Sequence, residues 1–176
     1  MASKESGFDG EWRAKENRMK KRHLVFSLLL VVAAVLIFAT PIGPLPGFFI
    51  GGEATATPQT WPDTAEVDEI YLKVPGTIPR VVIIWVVQVE GELYVVGSKN
   101  SGWVQLIGSS APVEMRLRGQ TFALNAVSTG IDLSTVIAAY KDKYRADYPD
   151  IVAGFPSVEE GRDEFGVFRL TPRAGT

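Results

Sequence analysis

Residues 80 to 92 read RVVIIWVVQVEGE. From Arg80 to Val89 this is a continuous apolar run of β-branched residues around Trp85, too short for a membrane pass and bounded by Glu90-Gly91. A short run that is apolar on both faces predicts a strand covered on both sides, and so a buried central strand. Glu90-Gly91 then turns the chain into Glu92 to Gly97, ELYVVG, and the two segments form a hairpin.

The flanking segments extend the same β-rich pattern. Upstream lies a short strand, Glu69 to Val74, stopped by Pro75-Gly76 and Pro79. Downstream, Val113, Met115 and Leu117 alternate with Glu114, Arg116 and Arg118, which predicts one buried and one wet face. Gly119-Gln120 turns this strand into its return, Thr121 to Ser128, with Phe122, Leu124 and Ala126 on one side. Asp132 is placed to cap a helix reaching about Tyr148, with Val136, Ile137, Tyr140 and Tyr144 on one face and Lys141, Asp142 and Arg145 on another. Lys141, Lys143 and Arg145 read as its solvent face. Pro149 ends the helix, and a last strand, Phe165 to Thr171, brings Val167 and Phe168 into the core. The inventory is a small, mainly-β antiparallel barrel with accessory helices over residues 67–173. Greek-key and OB-type barrels share it.

The rest of the chain has a different character. Of its 176 residues 46% are hydrophobic and 22% charged, and the net charge is -2, but charge is divided unevenly. Residues 1–23 hold seven Lys/Arg against four Asp/Glu, whereas residues 51–176 hold eleven against sixteen. Between them Leu24 to Ile42, LVFSLLLVVAAVLIFATPI, is free of charge and long enough, at about 1.5 Å per residue, to span a hydrocarbon core of ~30 Å. It reads as one N-terminal transmembrane helix. A cleaved signal peptide is the alternative, but such apolar regions run to about 7 to 15 residues. Arg18, Lys20, Lys21 and Arg22 precede the helix, and only Glu53 is charged between it and Pro62, so the N-terminus is expected in the cytoplasm and the barrel on the outer, periplasmic side.

Residues 1–23 then form a cytoplasmic basic tail, either solvated or, through Trp12 and the stretch EWRAKENRMKKR, lying on the membrane surface. Residues 43–66, rich in Pro and Gly, read as a linker. Its apolar residues Leu45, Phe48, Phe49 and Ile50 are expected at the outer membrane interface or on a partner.

Several chemistries are disfavoured by composition. The one dense basic cluster abuts the apolar run, which argues against nucleic acid as a partner. With no cysteine there is neither thiolate catalysis nor a Cys-ligated metal, and the one histidine, His23, lies outside the barrel. No nucleophile or phosphate-loop motif is present, so no catalytic residue and no metal site are assigned. The acidic run Glu159, Glu160, Asp163 and Glu164 lacks the spacing of a calcium loop and reads as a solvated loop.

The motifs Ile84-Trp85-Val86-Val87, Gly91-Glu92-Leu93-Tyr94-Val95 and Ser101-Gly102-Trp103 occur in that order, followed by Gly119-Gln120-Thr121, Ala138 to Tyr144 and Phe168 to Arg173. This order resembles small domains of the FMN-binding split-barrel clan, which includes pyridoxamine-phosphate-oxidase-like and deazaflavin-dependent reductases. It is similar to a small family of unknown function within that clan, over about residues 67–173. The resemblance implies that an FMN or deazaflavin phosphate would lie at the link from Gly97 to Trp103. There Lys99 would supply a cation, Ser98, Asn100 and Ser101 polar groups, and Trp103 a wall for the ring system. It also implies a possible homodimer with the cofactor site across its interface. The chain departs from the pattern at Val96, where such relatives often carry Arg. The same link also reads as a plain Ser/Asn turn, with Lys99 in water and Trp103 anchored in the core.

Three functions remain open. The first is a bitopic accessory subunit of a larger membrane complex, respiratory or photosynthetic in type, which contacts the bilayer and other integral subunits and carries no cofactor. The second is a membrane-tethered flavin- or deazaflavin-dependent oxidoreductase. The third is a periplasmic module for a lipid or quinone. The aromatic linker and the missing Arg at position 96 make the first the expectation.

Overall fold

The computed structural model of the chain describes residues 25, 27–32, 47–129, 133–155 and 157–173. The chain divides into two units, residues 1–39 and 40–176. In the first, residues 27–32 are helical and exposed. Among the described residues no helix is long and apolar enough to cross a membrane. Most of the Leu24 to Ile42 run lies outside them, as do Trp12, Leu45 and Asp132.

The second unit is built on one curled, mainly antiparallel sheet. Its strands are β1 (Glu53–Ala54), β2 (Glu69–Val74), β3 (Arg80–Trp85), β4 (Val87–Val89), β5 (Glu92–Ser98), β6 (Ser110–Leu117), β7 (Gln120–Ser128) and β8 (Phe165–Pro172). Among the described residues four helices accompany them: α1 (Gly102–Ile107), α2 (Leu133–Tyr144), α3 (Pro149–Ala153) and α4 (Val158–Glu164). The strand order is β3-β2-β6-β7-β8-β5-β4, with β1 added in parallel to β7.

That order corrects the reading of Arg80 to Val89 as one central strand. The run is broken at Val86 into β3 and β4, which lie at the two ends of the sheet. Trp85 and Val87 are two residues apart, so the ends of the sheet can be no more than about 7 Å apart here. The sheet must curl to bring them there, and Val86 marks a seam where it is split rather than hydrogen-bonded shut.

The turns follow from backbone conformation. Glu90 and Gly91 both have positive φ, 52° and 83°, as a two-residue hairpin turn with the right twist requires. In the β6–β7 hairpin the same pair of conformations falls on Arg118 (49°) and Gly119 (82°), one residue earlier than Gly119-Gln120. Pro149 does not simply end α2. The helix stops at Tyr144, and Pro149 takes the first position of α3, where its missing N–H costs nothing. The acidic run is likewise not a loop but lies on α4, with Asp163 and Glu164 exposed.

Two cores result, and β5 separates them. Leu93 and Val95 point into the barrel with Ile70, Leu72, Met115 and Phe168, all buried. Tyr94 points the other way, under α2, where Val136, Ile137, Tyr140 and Tyr144 pack with Val87 and Val167. The continuous apolar sequence LYVV is thus explained by a helix on the outer face of the strand.

The Pro/Gly-rich segment is held on this unit from Gly47 onward. Gly47 exchanges backbone hydrogen bonds with Val81 at 2.7 and 3.0 Å, and Arg116 Nη1 donates to Ile50 O at 2.8 Å. Trp61 is buried in the barrel core, edge-on to Phe122. Ile50 is buried too and so is not available at a membrane or partner interface, whereas Phe48 and Phe49 are exposed.

Candidate functional site

The residues for a phosphate site do come together, on the turn from β5 into α1. Ser101 is the N-cap of α1, and its Oγ donates to Ser98 O at 2.6 Å. Asn100 N–H donates to Ser98 Oγ at 3.3 Å. The cation, although exposed, is engaged from within the chain: Lys99 Nζ donates to Arg162 O at 2.8 Å, and the Lys99 backbone N–H donates to Glu164 O at 2.7 Å. Lys99 thereby ties the turn to the end of α4.

Trp103 is equally committed. Gly97 and Gly166 face each other across β5 and β8. A Cβ on Gly97 would lie 2.1 Å from Trp103 Cζ2, and one on Gly166 would lie 3.0 Å from Phe168 Cε2. The two glycines make room for the two rings, whose centroids are 5.9 Å apart. Trp103 packs against the barrel core, and its ring is engaged from within the chain.

A second polar arrangement, at the seam, was not legible from residue types. Val86 N–H donates to Tyr144 Oη at 3.1 Å, and Tyr140 Oη donates to Trp85 O at 2.9 Å. Lys143 Nζ donates to the carbonyls of Val67, Val86 and Thr64 at 2.6, 2.8 and 2.9 Å. Lys143 is therefore not a solvent-face residue, which corrects the expectation for α2. The indole of Trp85 stacks on Tyr144 at 4.2 Å and 10°. Burial raises the hydroxyl pKa values of Tyr140 and Tyr144 beyond the usual tyrosine range. Burial lowers that of Lys143, against the opposing pull of Asp68 and Asp63. These groups satisfy backbone atoms, and the arrangement is one of support.

Concavities lie on the surface of this unit, two of them sizeable among the described residues. One, of about 740 Å³, is lined by Phe48, Ile78, Arg80, Gly102, Gln105 and Leu106 among others. The other, of about 800 Å³, is acidic, with Asp63, Glu66, Asp68, Asp142 and Asp147 around Lys143. Among the described residues no three His, Asp or Glu side chains are arranged to hold a metal ion.

No family model and no curated protein matches the chain. Several solved structures are similar to it at a distance. A NimC/NimA family protein from Clostridium acetobutylicum is 23% identical over 60% of this chain and 75% of its own, with a TM-score of 0.40. HutZ, the heme storage protein of Vibrio cholerae, is 18% identical over 62% and 84%, with a TM-score of 0.43. An F420 reductase is 12% identical over 65% and 97%, with a TM-score of 0.38. The chain's own topology, a curled antiparallel sheet split at Val86 with a few helices, fits a split barrel.

Proposed function

We propose that this chain is a bitopic, membrane-anchored accessory subunit of a larger membrane assembly, and that its split-barrel domain is non-catalytic. The uncharged run Leu24 to Ile42 is the anchor, with the basic tail in the cytoplasm and the barrel on the outer side. The barrel is a relative of the FMN-binding split-barrel clan in which the cofactor link serves the fold. The observation that carries this reading is the engagement of Lys99 Nζ with Arg162 O, together with Trp103 seated over Gly97. The cation and the ring that would hold a flavin or deazaflavin already have partners within the chain.

The test compares the full chain and Lys99→Ala, each purified from its own membranes in mild detergent, by visible absorbance. Neither is expected to carry a yellow cofactor, and both are expected to stay with the membrane through an alkaline wash. A flavin or deazaflavin spectrum in the parent that is lost in Lys99→Ala would make the link from Ser98 to Trp103 an active site and overturn the proposal.

A further inference from the structure

Of the large apolar residues exposed on the barrel unit, three fall together, while Phe49 and Ile151 do not line the same concavity. Phe48, Ile78 and Leu106 are 47%, 71% and 37% exposed, come from three separate segments, and line the same concavity. Ile78 stands in the β2–β3 loop between Gly76 and Pro79, and a Cβ on Gly76 would lie 3.6 Å from Leu106 Cδ2, so the loop leans on α1. Contiguous exposed apolar surface of this kind marks a contact with something other than water.

Arg80 identifies the occupant. Among the described residues it is the one ionisable residue lining this concavity, and its guanidinium lies over Gly102, where a Cβ would be 2.8 Å from Nη1. Among the described residues its side chain has no hydrogen bond or ion pair. The surrounding domain is acidic, eleven Lys/Arg against sixteen Asp/Glu over residues 51–176, so this face is a cationic, apolar exception. Apolar side chains beside an unpaired cation suit the headgroup boundary of a phospholipid bilayer. Chain length agrees: Phe48 follows Ile42 by six residues, which reach about 20 Å at most.

We infer that the face formed by Phe48, Ile78, Leu106 and Arg80 docks on the phospholipid surface, with Arg80 at a lipid phosphate. This rests on the reading of residues 24–42 as the anchor.

The chain has no cysteine, so a single introduced one reports one place. The full chain is reconstituted into vesicles of phosphatidylcholine and phosphatidylglycerol, with an environment-sensitive fluorophore at Ile78→Cys, Leu106→Cys or Asp142→Cys. The quencher is a nitroxide on the lipid headgroup. Labels at positions 78 and 106 are expected to shift to the blue and be quenched, while the label at 142 keeps its emission in water. Replacing Arg80 by Ala is expected to lower the ratio of docked to undocked domain about fivefold. If positions 78 and 106 report water in vesicles that keep the chain through an alkaline wash, docking is refuted and the anchor stands. If the wash removes the chain, the anchor reading fails and takes this one with it. Shielding seen only in native membranes would assign the face to a protein. No difference between Arg80→Ala and its parent would remove the phosphate contact.

Discussion

Tyr144 Oη lies 3.1 Å from the amide nitrogen of Val86 and 2.9 Å from its carbonyl oxygen, and so meets both backbone groups of the one residue between β3 and β4. At a split in a sheet these groups lose their ladder partners, and burying them unpaired is expensive. A phenol has one proton to give. Lys143 Nζ serves the Val86 carbonyl at 2.8 Å, which leaves the Tyr144 proton for Asp68 O at 2.6 Å. Tyr144→Phe would keep the stack on Trp85 while stranding the Val86 amide. The expected loss is about 1–3 kcal/mol, read by urea denaturation, with faster hydrogen exchange at Val86 than in the parent.

Lys143 binds three carbonyls that belong to the segment before β2 and to the seam. Replacing it by Met keeps the stem but removes all three donors. A loss of about 1–3 kcal/mol is expected. Lys141→Met, two residues earlier on α2 and half-buried, with no side-chain hydrogen bond among the described residues, should stay within about 0.5 kcal/mol. Equal stability of the two variants would return Lys143 to the solvent face.

Alkaline pH should act through the tyrosines. Burial raises the folded-state pKa of Tyr140 and Tyr144, whereas the unfolded chain ionises at about 10. Their contribution is complete below about pH 10 and is lost as pH rises toward the folded values, because the folded state then binds more protons. Lys143, whose folded pKa is lowered, has the opposite slope below its unfolded value. The measurement is therefore a difference: above about pH 10 the parent should lose stability more steeply than the Tyr140→Phe, Tyr144→Phe double variant.

Gly97 is predicted to tolerate no side chain. A methyl there would meet Trp103 Cζ2 at 2.1 Å, so Gly97→Ala must displace the indole, at a cost of about 1–3 kcal/mol. Trp103 emission should move to the red. Unchanged emission and stability would mean that the ring is loosely held and free to receive a ligand.

Much of the barrel could be read from the residues, because alternation exposes a strand that is wet on one face. Val113, Met115 and Leu117 are buried as the pattern requires, and Glu69–Val74 forms as a strand with the bounds its prolines suggest. The seam could not be read in this way. Nothing in RVVIIWVVQV marks Val86, since no Pro or Gly interrupts the run, and the break is imposed from α2 by side chains some 57 residues away. For the same reason Lys143 passes for one of three surface cations until its neighbours are known. In the Pro/Gly-rich stretch, composition reports only the absence of regular structure. It is Trp61, packed on Phe122, that makes the segment part of the fold. At the link the residue types were right for a phosphate, and only the partners of Lys99 and Trp103 point to a supporting role.

The central proposal is that the chain is an anchored subunit without a cofactor of its own. Native mass spectrometry of the full chain, extracted from its own membranes in mild detergent and recorded with the absorbance of the same fraction, tests this directly. The expected result is a large assembly that includes this chain with no flavin-sized adduct on it. A free monomer or dimer bearing a yellow cofactor would contradict it.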